Sequence, residues 1–229
     1  MERNARARIA TVAALGMVAA GAAAMLWVLP ALLGLLGGAA PAVASALALA
    51  ARPPVHLSIA GAETPLVGNA LRFERVTVTE EGPARARAVS TLDFEGALGP
   101  TRVSSLGRET TRFRRSGAGW EVEGGLAPTL AGAVAALAAR ARALERGDAA
   151  ALAALVAPRD REQALADPGL HAALGTPSSR EPIQAWYLRS EAGEITVTEE
   201  AGAQARTRRL RLVPREPGSS EFVFAGLVL

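Results

Sequence analysis

These 229 residues contain no cysteine, only two histidines and just 4% aromatic side chains. Without cysteine there is no disulfide, no thiolate metal ligand, no cysteine nucleophile and no lipidated cysteine anchor. Lysine is missing too, so all 25 basic residues are arginines, whose charge does not titrate near neutrality. With so few rings, alanine, leucine and valine must build the core, and such a core is poor in the wide faces that line ligand pockets. No phosphate-cradling glycine loop and no Gly-x-Ser-x-Gly elbow occurs. Neither a cofactor nor a metal site is expected.

The basic pI of 10.7 does not mark a nucleic-acid binder. Setting aside Glu2, Arg3, Arg6 and Arg8 leaves 22 arginines against 21 acids in residues 52–229. That balance provides no broad positive field for phosphates.

The most prominent feature present is a charge-free run from Ile9 to Ala51. About 20 apolar residues suffice to cross a bilayer, so the run predicts a transmembrane helix over residues 9–36. Arg3, Arg6 and Arg8 precede it and place residues 1–8 in the cytoplasm, with the rest of the chain outside. A helical hairpin and a cleaved signal peptide are the alternatives. The implied location is the inner (cytoplasmic) membrane, with a periplasmic or extracellular C-terminal domain. Residues 37–70 read as an apolar stalk and linker.

Residues 71–126 read as an antiparallel meander, punctuated by Glu81-Gly82-Pro83, Gly99-Pro100 and Ser116-Gly117-Ala118-Gly119. From Thr129 the period becomes helical: Leu130, Val134, Leu137, Ala141 and Leu144 share a face, and Arg140, Arg142 and Arg146 are assigned to the others. Gly147 is placed to end that helix and Asp148 to cap a second, Ala149 to Val156. A third short helix is expected from Asp160 toward Leu174, and strands resume from Ile183. Val76–Arg87 and Ile195–Arg206 match at eight of twelve positions, which suggests either a duplicated sheet unit or two convergent hairpins. Their acidic pairs, Glu80-Glu81 and Glu199-Glu200, read as solvated strand ends.

The stretch from Thr129, with Leu137, Leu144, Gly147, Asp148, Leu152 and Leu155 in place, resembles the opening of the SnoaL-like, ketosteroid-isomerase-like (nuclear transport factor two-like) superfamily. The resemblance covers residues of about 128–229. It implies a cone-like, cystatin-like α+β fold, in which residues 127–229 pair helices with an antiparallel sheet. It carries over no catalytic residue, because the base and oxyanion donors of catalytic members have no counterpart here. The expected fold class is therefore α+β: an N-terminal transmembrane helix, then antiparallel sheets with three helices.

Candidate residues each have a bland reading beside the functional one. Trp186, Tyr187, His171 and Trp120 are the ligand-pocket candidates, and core packing is the alternative for the rings. His171 is either a structural histidine or a general base, and His56 reads as a solvated linker residue. Arg206, Arg208, Arg209 and Arg211 form either a partner surface or a solvated strand face. The function expected is non-enzymatic: a single-pass envelope protein whose outer domain is a protein-interaction or assembly module, with a protein partner or as a homo-oligomer. Binding of a small apolar ligand, or hydrolase or isomerase chemistry, are the alternatives.

Overall fold

A computed structural model describes residues 38–156, 174 and 181–225. In chain order these form α1 (Ala40–Ala50), β1 (Val55–Leu57), β2 (Leu66–Glu80), β3 (Arg85–Leu98), β4 (Thr101–Ser116) and β5 (Gly119–Glu123). There follow α2 (Pro128–Arg146), α3 (Ala149–Ala154), β6 (Ile183–Glu191), β7 (Glu194–Ala201), β8 (Arg206–Pro214) and β9 (Phe222–Ala225). Strict alternation makes the strands two-faced. On β3, Ala86, Ala88, Ser90, Leu92 and Phe94 are buried, while Arg85 and Arg87 between and before them are exposed.

All nine strands belong to one sheet, in the order β1-β2-β3-β4-β6-β7-β8-β9, with β5 also on β4. One edge of β4 pairs with β3 along its length. The other edge is shared. Arg112–Ser116 takes β5 antiparallel, and Arg102–Gly107 takes β6 parallel. A parallel pair cannot be joined by a hairpin and needs a crossover, usually a helical one. The chain between β4 and β6 provides it, and α2 lies against the sheet along that path.

This arrangement corrects the expected fold class. Instead of separate antiparallel sheets there is a single mixed sheet with three helices among the described residues, none long and apolar enough to cross a membrane. The span expected over residues 9–36, and with it the single-pass assignment, lies outside the described residues. The alanine-rich stretch read as stalk is a packed helix: Val43 and Leu47 of α1 are buried in the core, and Ala39 N donates to Glu80 Oε1 at 2.6 Å. Val43 and Leu47 face the sheet, and most of its other apolar residues, Leu49 among them, are exposed. The third helix, expected toward Leu174, is described only at Leu174 itself, which is helical and buried.

Helix α2 is positioned by a side chain from another element. Its N-cap, Ala127, has no side chain able to cap, and Pro128 opens the first turn. Glu109 of β4 takes over. Its Oε2 accepts from Leu130 N at 3.1 Å, and its Oε1 accepts from Thr129 N at 3.1 Å and Thr110 N at 2.9 Å. A carboxylate here satisfies orphan amides and complements the positive end of the helix. At its other end α2 stops at Gly147, left-handed at φ 67°, and Asp148 Oδ1 accepts from Ala151 N at 2.9 Å to open α3. Near its start, Gly132 passes so close to the segment entering β9 that a Cβ would strike the Ser220 carbonyl oxygen.

The two similar segments form equivalent hairpins, β2–β3 and β7–β8. The first glutamate of each pair points to the helical side. Glu80 receives the amide at the start of α1, and Glu199 receives a guanidinium from α2. Glu199 is 1% exposed, which corrects its reading as a solvated strand end.

Glu109→Ala should lower the unfolding free energy by about 3 kcal/mol, because buried amides lose their acceptor. Denaturant unfolding measures this, and an unchanged midpoint would remove Glu109 from its capping role. Burial raises the Glu109 carboxyl above the ordinary glutamate range, and its hydrogen bonds to Thr129, Thr110 and Leu130 only partly offset that. The folded chain thus holds this proton more tightly than the unfolded one. The contribution is fully present below the ordinary range and is lost as pH rises through the raised value. The stability advantage of wild type over Glu109→Gln should accordingly shrink with rising pH.

Candidate ligand-binding site

Arg140 sits within the apolar stripe of α2, three residues after Leu137 and four before Leu144, and is fully buried. That corrects its assignment to a polar face of the helix. Burying a guanidinium is costly unless its donors are met. Here Nε donates to Leu174 O at 2.9 Å and Nη1 to Glu199 Oε2 at 2.6 Å. Trp186 Nε1 donates to the same carboxylate oxygen at 3.0 Å.

The sheet brings these groups together by register. Trp186 of β6 lies opposite Glu199 of β7, and Glu199 lies opposite Arg208 of β8. Val103 of β4 is the parallel partner of Trp186. One row across four strands therefore reads Val103, Trp186, Glu199, Arg208, with Arg140 reaching it from the helix. Because β4 and β6 come from distant parts of the chain, this row exists only through the parallel join.

Beside the row lies a half-enclosed cavity of about 480 Å³. Ala141, Leu144 and Glu145 line it from α2, and Trp186, Ile183 and Ala201 from the sheet. Thr101, Glu181 and Arg208 add polar groups; Thr101 Oγ1 is engaged, donating to Ile183 O at 3.2 Å. Such a size, with apolar walls and a few placed polar groups, is that of a small-molecule site. Glu199 shares one oxygen between Arg140 and Trp186, so it serves the floor of the cavity. A second hollow of about 500 Å³ runs between Val55, His56 and Leu57 on one side and Val122, Gly124 and Gly125 on another. His56 is its one titratable lining group among the described residues, and it belongs to β1, where a linker was expected.

Of the pocket candidates among the described residues, only Trp186 lines the first cavity. Tyr187 emerges on the opposite face, 40% exposed, with its hydroxyl 3.3 Å from Glu200 Oε2. Trp120 is half-buried on β5 against the core. His171 lies outside the described residues. The arginine cluster is split between the two faces of β8. Arg208 lines the cavity and Arg206 shares Glu181 with it, at 3.9 and 3.3 Å. On the other face Arg209 is exposed, and Arg211 is held by Glu194, whose carboxyl that hydrogen bond lowers below the ordinary range.

Arg140, Glu199, Glu181 and Glu145 were missed as site residues. The signal for Arg140 was its spacing from Leu137 and Leu144. For Glu199 it was the alternation Ile195, Val197, Glu199, which puts the acid on the buried face.

The chain matches no protein-family model, and neither a curated protein nor a solved structure is significantly similar to it.

Removing one member of the buried pair should be far worse than removing both. Arg140→Met or Glu199→Met alone is expected to cost about 4 kcal/mol, whereas the double change costs about 1 kcal/mol. A denaturant double-mutant cycle reads the difference, and additive costs would show that the pair is not coupled.

Proposed function

We propose that this domain is a non-catalytic binding module whose ligand occupies the cavity beside Trp186. One observation carries this: a half-enclosed space of about 480 Å³, lined by apolar and charged side chains together, whose floor is an ion pair already satisfied from within the protein. A floor that needs no ligand to neutralise it stays rigid when empty. Binding then requires little reorganisation, which favours affinity. The walls from Leu144, Ile183 and Trp186 supply apolar contact, and the polar groups at the mouth orient the ligand.

A second reading, self-association within an assembly, is favoured by the sheet face turned away from the helices. There Leu106 and Tyr187 are 49% and 40% exposed on the neighbouring strands β4 and β6. Arg102, Arg108 and Arg112 of β4 stand on the same face as Glu194 and Glu200 of β7. Glu194 and Glu200 already pair with Arg211 and Arg102 of the same chain, so the exposed Leu106 and Tyr187 are what a second copy would cover. If that face is the interface, Leu106→Asp with Tyr187→Asp should abolish concentration-dependent association of the full chain in sedimentation. A wild-type chain that stays monomeric at every concentration removes this reading.

For the cavity, the uncharged dye N-phenylnaphthylamine should bind the purified full chain saturably and one to one, with energy transfer from tryptophan. Ala141 is half-buried and lines the space, so Ala141→Phe fills it without entering the packed core. That variant should keep its unfolding midpoint and weaken dye binding by about tenfold or more. Equal binding by wild type and Ala141→Phe would place the dye elsewhere and end the cavity reading.

A further inference from the structure

We infer that a second copy of this chain pairs with the open edge of β2, joining the two sheets strand to strand. The pairing does not depend on the cavity or on its occupant.

Only Leu66–Gly68 of β2 carries β1. From Leu71 to Glu80 that side has no strand among the described residues, while the other side pairs with β3. A bare row of backbone donors and acceptors is a template for another strand, and proteins blunt such edges with charges or bulges. The first part of this edge is blunted. Arg72, Glu74 and Arg75 are exposed, and a bulge with Arg75 left-handed at φ 52° breaks the register. The last part, Val76–Glu80, has no charge before Glu80 and alternates valine with threonine. The matching stretch Ile195–Glu199 of β7 lies between two strands, β6 and β8. The same side-chain pattern is thus interior in one hairpin and bare in the other.

The phase of the ladder identifies the free groups. Glu81 N donates to Arg85 O at 2.9 Å, so alternation along the antiparallel pair turns Thr79 and Thr77 toward β3. The backbone N–H and C=O groups of Val78 and Glu80 then face the open side. A two-fold axis through Val78 makes this edge complementary to itself. Val78 meets Val78 of the second copy, and Val76 meets its Glu80. Thr77 meets the second copy's Thr79 at the close, non-hydrogen-bonded position on the outer face, a favourable cross-strand pair. Beyond the ladder, Arg75, without an ion pair among the described residues, comes beside the second copy's Glu81. That carboxylate is partly exposed, held on its own chain by Arg87 at 3.3 Å, and has room for both guanidiniums. On the inner face the half-buried Val76 and Val78 of each copy cover one another.

The chain has no cysteine, so introduced thiols report this contact alone. Opposed residues at a non-hydrogen-bonded position lie about 4.5 Å apart at Cα, within disulfide range. An equal mixture of full-length Thr77→Cys and Thr79→Cys chains should therefore cross-link under mild oxidation about tenfold faster than either variant alone. Val78→Pro on both chains removes an edge donor, spares the bonds to β3 and should abolish that difference. Leu106→Asp with Tyr187→Asp should leave it in place, which separates the edge from the exposed sheet face. The inference is overturned by a mixture that does not cross-link, or by one variant alone cross-linking as fast. Cross-linking that survives Val78→Pro, or is lost with Leu106→Asp and Tyr187→Asp, overturns it too. If Val78→Pro fails to fold, the contrast between the mixture and the single variants decides by itself.

Discussion

The fold depends on a guanidinium buried in an alanine-rich helix. Arg140 could not remain on the inner face of α2 without partners, because desolvating the charge costs several kcal/mol. Its partners come from three separate places: Leu174 after the helices, Glu199 on β7 and, through the shared oxygen, Trp186 on β6. Meeting all of them fixes the rotation of α2 about its axis, its position along the sheet and the register of β6 against β7. Alanine surfaces slide easily past one another, since small side chains interlock weakly. In this molecule the interlocking is electrostatic. Glu109 holds the start of the same helix from β4, so two buried polar side chains grip α2 at separate points.

Local elements were legible wherever the deciding chemistry is local. Gly147 and Asp148 mark the passage from α2 to α3 because a left-handed stop and a side-chain cap each need only neighbouring residues. The β2–β3 and β7–β8 hairpins announce themselves through glycine, proline and alternating valine and threonine. The parallel pairing of β4 with β6 leaves no such trace, since strands with this alternation pair in either direction. Helix α1 was misread for a related reason. APAVASALALA has hardly any polar residue to show which side faces the sheet, so its composition suits a stalk as well as a docked helix.

The site was less legible than the fold. Trp186 stood out as a ring at the start of a strand, and it does line the cavity. The groups that define the cavity chemically are charged residues, and a charged residue is ordinarily assigned to solvent. Arg140 and Glu199 break that rule together, each making the burial of the other tolerable. Neither anomaly is interpretable alone, and they are 59 residues apart. The two similar hairpins show the same device at two strengths: Glu80 stays exposed and binds one amide of α1, while Glu199 is buried and binds a cation of α2.

The parallel join also has a temporal side. Hairpins on either side of it close short loops, but β4 meets β6 through contacts such as Ser190 with Arg108 and Thr101 with Ile183, each 82 residues apart. Closing a loop of that length costs about 4 kcal/mol of chain entropy before any contact forms. The two flanking groups of strands can assemble locally, and the seam between them can close only once the intervening chain has compacted. A sheet that is continuous in space thus carries its largest closure cost at its centre and not at its edges.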